Sequence, residues 1–271
     1  MVEALPRAAS GRTLLEVMTE AARIGGRIIL ERFRGAKEVT FKGRANVVTD
    51  VDVAAERAIL ALLRREGPDF GVMAEESGVV AGASPYTWVV DPLDGTRNYA
   101  SAIPHCAVNI AVARGDEVVA GITYDPFRDE LFSAQRGHGA TLNGAPIRVS
   151  SRRRLAEGIL GFDMGYADEK ALWALRLVQH LWPGVQSIRV MGSSALGLAY
   201  AACGRLDLYF HHHLYPWDLA PGLVLAQEAG GAAAVRQGGP AGLHHDSIVV
   251  SSPHLLEEFL RATKGLEWRT R

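Results

Sequence analysis

Trp88-Val89-Val90-Asp91-Pro92-Leu93-Asp94-Gly95-Thr96-Arg97-Asn98-Tyr99 sets two aspartates three residues apart behind a short apolar strand, and a glycine and a threonine follow at once. That order gathers two carboxylates, a hydroxyl and exposed backbone N–H groups around one small volume. Carboxylates held so close repel each other unless a cation lies between them. Backbone N–H groups at the start of a helix or turn favour an anion such as phosphate. Hard cations beside a phosphate make a phosphatase site or a nucleotide-handling site. Pro92 fixes its own φ and Leu93 continues the turn, so both carboxylates can face one side, with the Leu93 carbonyl between them as a third oxygen ligand. Magnesium suits a few oxygens plus retained waters and substrate phosphate. Pro-Leu-Asp-Gly is also ordinary turn chemistry, but Thr96, Asn98 and Tyr99 make the string more specific than a turn requires.

Other carboxylates lie on either side of this stretch. Glu75 and Glu76 leave a second short apolar strand at Met73-Ala74. They are either solvated surface or, so soon before Asp91, the source of another carboxylate for the same cluster. Asp50 follows Val47-Val48-Thr49 and reads as a helix N-cap; an N-cap carboxylate can also accept a proton or bind a metal-bound water. Asp218 opens a helix with Pro221 in its first turns, either as a plain cap or as a metal ligand brought from the second half of the chain.

The pattern between these motifs predicts the frame. Thr13 and Glu16 form a capping box for a helix to Arg34. A second helix starts near Thr49 or Asp50, buries Val51, Ala55, Ile59, Leu62 and Leu63, and ends at Gly67-Pro68. Strands follow at 70–73, 87–90, 107–113, 117–124 and 130–134, with tight turns at Gly115-Asp116 and Asn143-Gly144. This half reads as helices on an antiparallel sheet. After polar residues 150–154, helices at 168–181, 194–202, from 217 and 253–263 alternate with strands at 186–190, 205–210, 232–235 and 247–250. Such alternation predicts a layered α/β half with a mainly parallel sheet. The expected organisation is one domain over 1–271, with lobes 1–150 and 151–271.

The 271 residues are 48% hydrophobic and 22% charged, ordinary for a globular domain large enough to bury a core without staples. A formal net charge of −1 supplies no general field for nucleic acid or an anionic membrane. Arg152-Arg153-Arg154 is the one dense basic run and reads as a solvated linker. Cys106 and Cys203 fit no ligand spacing and read as reduced core residues. Residues 1–10 lack the apolar stretch of a signal peptide, and no run approaches a membrane span, so the chain reads as cytoplasmic.

Taken together, Glu75-Glu76-Ser77, the Asp91–Tyr99 string, Trp217-Asp218 and Glu228-Ala229-Gly230-Gly231 resemble the signature elements of the inositol monophosphatase family, in order and spacing and across nearly the whole chain. The resemblance implies a layered αβαβα fold, often as a homodimer, and magnesium-dependent, lithium-sensitive hydrolysis of a small phosphorylated metabolite. It implies that Glu75, Asp91 and the Leu93 carbonyl hold one Mg2+, that Asp91, Asp94 and Asp218 hold a second, and that a weaker third rests near Glu75. It further implies that Gly95 and Thr96 donate backbone N–H groups to phosphate, and that Thr96 pairs with Asp50 to orient and deprotonate the attacking water. Asp94, Ser194, His211 and Asp218 would meet the substrate. Relatives acting on inositol phosphate carry a glutamate seven residues before the second-half aspartate, where this chain has His211 in His211-His212-His213. A neutral imidazole still bonds a hydroxyl, and a protonated one favours an extra anionic group; a strand end with one inward histidine is the plainer reading. Arg97 could reach a second phosphate. Inositol monophosphate is the leading substrate, with fructose 1,6-bisphosphate, histidinol phosphate and 3′-phosphoadenosine 5′-phosphate as alternatives. A regulatory protein working through a protein or RNA partner is the reading from another class.

Overall fold

The computed structural model describes residues 4–41 and 47–271; the first three residues of the N-terminal segment read above lie outside it. Helix α1 (Leu14–Arg32) begins at Thr13, whose hydroxyl accepts the Glu16 N–H while the Glu16 carboxylate accepts the Thr13 N–H. Strands β1 (Val39–Phe41) and β2 (Val47–Thr49) pair antiparallel and lead into α2 (Asp50–Glu66).

Eight strands then build the first sheet: β3 (Gly71–Ala74), β4 (Gly78–Val80), β5 (Tyr86–Asp94), β6 (Ala107–Arg114), β7 (Glu117–Asp125), β8 (Glu130–Gln135), β9 (Ala140–Leu142) and β10 (Ala145–Pro146), with the short α3 (Thr96–Ala100) after β5. Their order is β10-β9-β8-β7-β6-β5-β3-β4, and only β3 with β5 runs parallel. The second half contains β11 (Ile159–Asp163), α4 (Asp168–Leu181), β12 (Ser187–Val190), α5 (Ser194–Ala202), β13 (Leu208–His211), α6 (Pro216–Glu228), β14 (Ala232–Ala234), β15 (Ile248–Ser251), α7 (Pro253–Ala262) and α8 (Glu267–Thr270).

The second sheet, ordered β12-β11-β13-β15-β14, is mixed rather than mainly parallel. Strand β11 lies parallel to β12 and β13, but β15 is antiparallel to both of its neighbours. The reason is connectivity. A parallel neighbour needs a crossover helix, and the chain between β14 and β15 contains none. Strand β11 escaped the sequence reading because Gly161 interrupts its apolar run; Leu206 and Tyr209 fill the space where a side chain would stand.

Side-chain alternation along the strands sorts the layers. Trp88 and Val90 of β5, with Val108, Ile110 and Val112 of β6, pack against α1 and α2. Val89, Ala111 and Ala113 point to the other face and meet α5 and α6. The second sheet covers the far side of α5 and α6, and its outer face carries α4, α7 and α8 around Phe162, Phe210, Phe259 and Trp268. The result is the αβαβα stack. Helix α6 is buried from Asp218 to Ala226, as a helix between two sheets must be. Its approach to β7 depends on Gly121, where a Cβ would lie 2.7 Å from Pro221 Cα. Among the described residues no helix is long and apolar enough to cross a membrane.

Helix α5 sits equally close to β13, since a Cβ on Gly197 would lie 2.6 Å from Tyr209 Cδ2. Gly197→Ala is therefore expected to destabilise the fold by about 2 kcal/mol through overpacking, read as a lower urea midpoint; an unchanged midpoint would show that Tyr209 has room to move.

Candidate functional site

Strand β5 ends in a bulge, and the bulge makes the site. Asp91 pairs with Asn109 and Asp94 with Ala107, three steps on one strand against two on its partner. In a regular strand, residues three apart face opposite sides of the sheet; the extra residue at Pro92-Leu93 breaks that alternation. Both aspartates can then address the same centre.

Each is anchored by a different element. The Asp94 carboxylate caps α5, accepting the Ser194 hydroxyl on Oδ1 at 2.7 Å, and the Ser193 hydroxyl and the Ala195 N–H, at 3.1 Å, on Oδ2. Asp91 folds back on its own turn, accepting the Leu93 N–H at 2.9 Å. Asp218 stands in the first turn of α6 and accepts the Tyr215 N–H at 2.7 Å. Asn109 of β6 donates to the carbonyls of Trp217 (3.3 Å) and Asp218 (3.4 Å), and its own amide oxygen is held by the Thr123 hydroxyl at 2.7 Å. One carboxylate oxygen from each of Asp91, Asp94 and Asp218 lies within 4.8 Å of the others, in a buried triad.

Burial and mutual repulsion push these groups up. Desolvation raises Asp91 well above the usual carboxylate range, with the charges of Glu75, Asp94 and Asp218 adding to it. Desolvation raises Asp94 as well, against the hydroxyl and N–H bonds it accepts. Asp218 is pushed up to about 8 by burial and then by Asp94. Glu75, Asp91, Asp94 and Asp218 thus crowd like charge into one buried space, which a cation would neutralise.

Thr96 stands at the start of α3 on the cavity wall, its hydroxyl 3.0 Å from both Asp52 Oδ1 and the Leu93 carbonyl. The carboxylate beside it is Asp52, not Asp50, which corrects the expected pair. Asp50 is turned outward, accepting from Arg32 at 3.1 Å and from the Glu38 N–H at 3.2 Å. The cause is local. Thr49 is the N-cap of α2, and Asp52, three residues on, reaches back to the Thr49 N–H at 2.9 Å to close a capping box. That spacing holds Asp52 on the inner face and leaves Asp50, two positions earlier, on the outer one. Burial raises Asp52 to about 6, against hydrogen bonds from Thr49 and Thr96 that lower it.

The cavity in front of these groups has a volume of about 210 Å³ and is bordered by Asp94, Gly95, Thr96, Ser194, His211 and Asp218 among others. Glu75 lies close enough to Asp91 for its charge to raise that group. The three histidines diverge. His211 lines the cavity, and burial drops its pKa to about 3. His212 lies between Trp173 and Trp268, and His213 meets Lys170 Nζ at 3.0 Å. No common ion could use all three.

Sequence reasoning missed Asp52, Ser193, Asn109 and Asp163. The Thr49-x-x-Asp52 spacing was a visible signal for the first. Asp163 accepts the Gly192 N–H at 2.5 Å and the Tyr209 hydroxyl at 2.8 Å, fixing the loop that presents Ser193; burial raises it to about 7. Asn98 of α3 donates to the carbonyls of Met191 and Gly192 in that same loop, at 3.3 and 3.1 Å, and to that of His105, just before β6, at 2.8 Å.

Comparison with known proteins agrees with this architecture. A family model described as the inositol monophosphatase family matches residues 11–266. Inositol monophosphatase 1 of Solanum lycopersicum is 35% identical over 271 residues, covering 97% of this chain and 99% of that protein. Nus factor SuhB of Pasteurella multocida is 36% identical over 251 residues, covering 91% and 94%. The crystal structure of extragenic suppressor protein suhB from Bartonella henselae superposes with a TM-score of 0.88 at 35% identity, covering 93% and 98% of the two chains.

The buried carboxyls predict a pH signature. Asp163 and Asp218 titrate in the folded chain at about 7 and about 8, against 3.8 for the free side chain. The folded chain thus keeps protons that the unfolded chain has already released, so stability is lost as pH rises through those values. Buried His211 and His212 act in the opposite sense, but only below their free value of 6.5. Urea unfolding in chelator is expected to give a lower midpoint at pH 8 than at pH 6.5, the span above that histidine value. Asp218→Asn should reduce the difference and an added divalent cation should reduce it too, leaving the share of Asp163. Equal midpoints in chelator would mean that burial and like charge do not keep these carboxyls protonated.

Proposed function

The chain belongs to the inositol monophosphatase family and is a phosphoric monoester hydrolase, and from this we propose that it is a magnesium-dependent phosphatase of a small polyol or sugar phosphate, with inositol monophosphate the leading candidate. The observation that carries this reading is the buried triad Asp91, Asp94 and Asp218 beside the Thr96–Asp52 pair. The donor set fits a hard divalent cation: every donor is an oxygen, the three aspartates converge, and Asp94 Oδ1, with one hydrogen bond, keeps a lone pair free. Glu75, Asp91 and the Leu93 carbonyl would hold one ion, and Asp91, Asp94 and Asp218 the other. When bound, a divalent cation lowers the pKa of a water molecule and neutralises charge on the transferring phosphoryl group.

The chain's own residues do the rest. The Thr96 hydroxyl has one proton and two possible acceptors at equal distance. Where that proton is given to Asp52, the hydroxyl oxygen is free to accept one from the attacking water. Asp52, at about 6, is ionised near neutrality and still basic enough to draw the proton onward. Gly95 takes a left-handed turn, at φ +88°, and its N–H and that of Thr96 would be the donors to the phosphate. A Cβ at Gly95 would lie 3.1 Å from the carbonyl oxygens of His105 and Gly192.

A second reading has support in the relatives named Nus factor SuhB: action through a protein or RNA partner. The acidic set argues for turnover, because buried carboxylates in contact are costly without a cation. The family resemblance also supports a homodimer, to be read from the solution mass.

The test is phosphate release from inositol 1-phosphate, fructose 1,6-bisphosphate, histidinol phosphate and 3′-phosphoadenosine 5′-phosphate, with and without magnesium. Magnesium-dependent turnover of at least one is expected, and inactivity on all four together with capture of a stable partner would favour the second reading. Asp52→Asn should lower kcat by about 100-fold through loss of the base, while Asp50→Asn should stay within about threefold, as for an exposed ion pair. The reverse ranking would return the role to Asp50.

A further inference from the structure

His211 ends β13 and is 4% exposed, with its ring beside Gly165 at the cavity. Its Nδ1 accepts the His213 N–H at 3.0 Å. A ring nitrogen that accepts a hydrogen bond carries no proton, so the imidazole is neutral and its one proton sits on Nε2. The tautomer is therefore set by the backbone, and the group offered to the cavity is a donor. No hydrogen bond to that Nε2–H is formed among the described residues, so the donor is open to a group that enters the cavity. Arg97 lines the same cavity. Its guanidinium lies over the Tyr166 ring at 5.4 Å and has no acidic partner among the described residues. Two donors without acceptors thus border the space open to the alcohol part of a bound ester.

We propose that His211 Nε2–H, with Arg97, is a specificity element that favours phosphate monoesters whose alcohol carries a further oxyanion, a carboxylate or a second phosphate. The inference rests on the phosphatase reading and narrows its substrate class. A neutral polyol phosphate is still accepted, since a hydroxyl can receive a hydrogen bond. An oxyanion receives it more strongly, because the bond is charge-assisted, and it also pairs with Arg97. A carboxylate in place of His211 would invert the preference, since it only accepts and carries negative charge.

Two matched pairs test this: 2-phosphoglycerate against glycerol 2-phosphate, and fructose 1,6-bisphosphate against fructose 1-phosphate. Within each pair a hydroxymethyl group is exchanged for an oxyanion-bearing one, and the pairs separate the carboxylate from the phosphate source. The anionic member of at least one pair is expected to show roughly tenfold higher kcat/KM, carried by KM, as a charge-assisted bond supplies. His211→Glu should reverse that ratio and His211→Ala should bring it toward parity; because each ratio is internal to one protein, partial loss of folded enzyme does not move it. Parity or preference for the neutral member in both pairs, or a ratio unchanged in both variants, would overturn the inference and leave the phosphatase reading standing. Failure to release phosphate from any of the four, and from inositol 1-phosphate, would overturn both.

Discussion

Three aspartates whose oxygens meet within 4.8 Å, removed from water, are the constraint around which this molecule is arranged. Left alone they would separate or take up protons, because burial and like charge both oppose ionisation. They are kept together by groups that are themselves rigid. Asp94 is fixed by the N-terminus of α5, whose hydroxyls and N–H group point at it, and Asp218 lies in the first turn of α6. The positive ends of both helices offset part of the repulsion.

That arrangement explains why α5 and α6 lie between two sheets rather than on a surface. A helix confined on both sides has little freedom to tilt, so the residues in its first turn are held in place. Closeness is secured by small residues: Gly197 under Tyr209, Gly121 under Pro221, and alanines on the face of β6 that meets this layer. Asn109 reaches from the first sheet to the start of α6, and Asn98 from α3 to the loop before α5. The site is thus bound to both halves of the chain, and its carboxylates inherit the stiffness of the core.

Much of this was legible from residue pattern. The capping box at Thr13, the span of α5 and the bent Asp-Pro-Leu-Asp segment each follow from short-range chemistry that tertiary packing did not override. The errors have equally local causes. Asp50, the expected partner of Thr96, stands at the first position of the helix; the cap is Thr49, and the third residue of the box, not the first, turns inward. Strand β11 was hidden by Gly161. The second sheet was expected to be mainly parallel because alternation of elements says nothing about a helix-free return such as that between β14 and β15.

By itself, the sequence determined which residues could carry chemistry and most of the elements that bear them, because capping, turn geometry and apolar periodicity act over a few residues and are written in residue type. Only the tertiary structure decided which carboxylate stands beside Thr96, that Ser193 and Ser194 hold Asp94, that Asn109 steadies α6, and that His211 presents a donor to the cavity. Those outcomes depend on burial, on strand register and on backbone groups from distant segments, and no local pattern encodes the direction in which a side chain finally points.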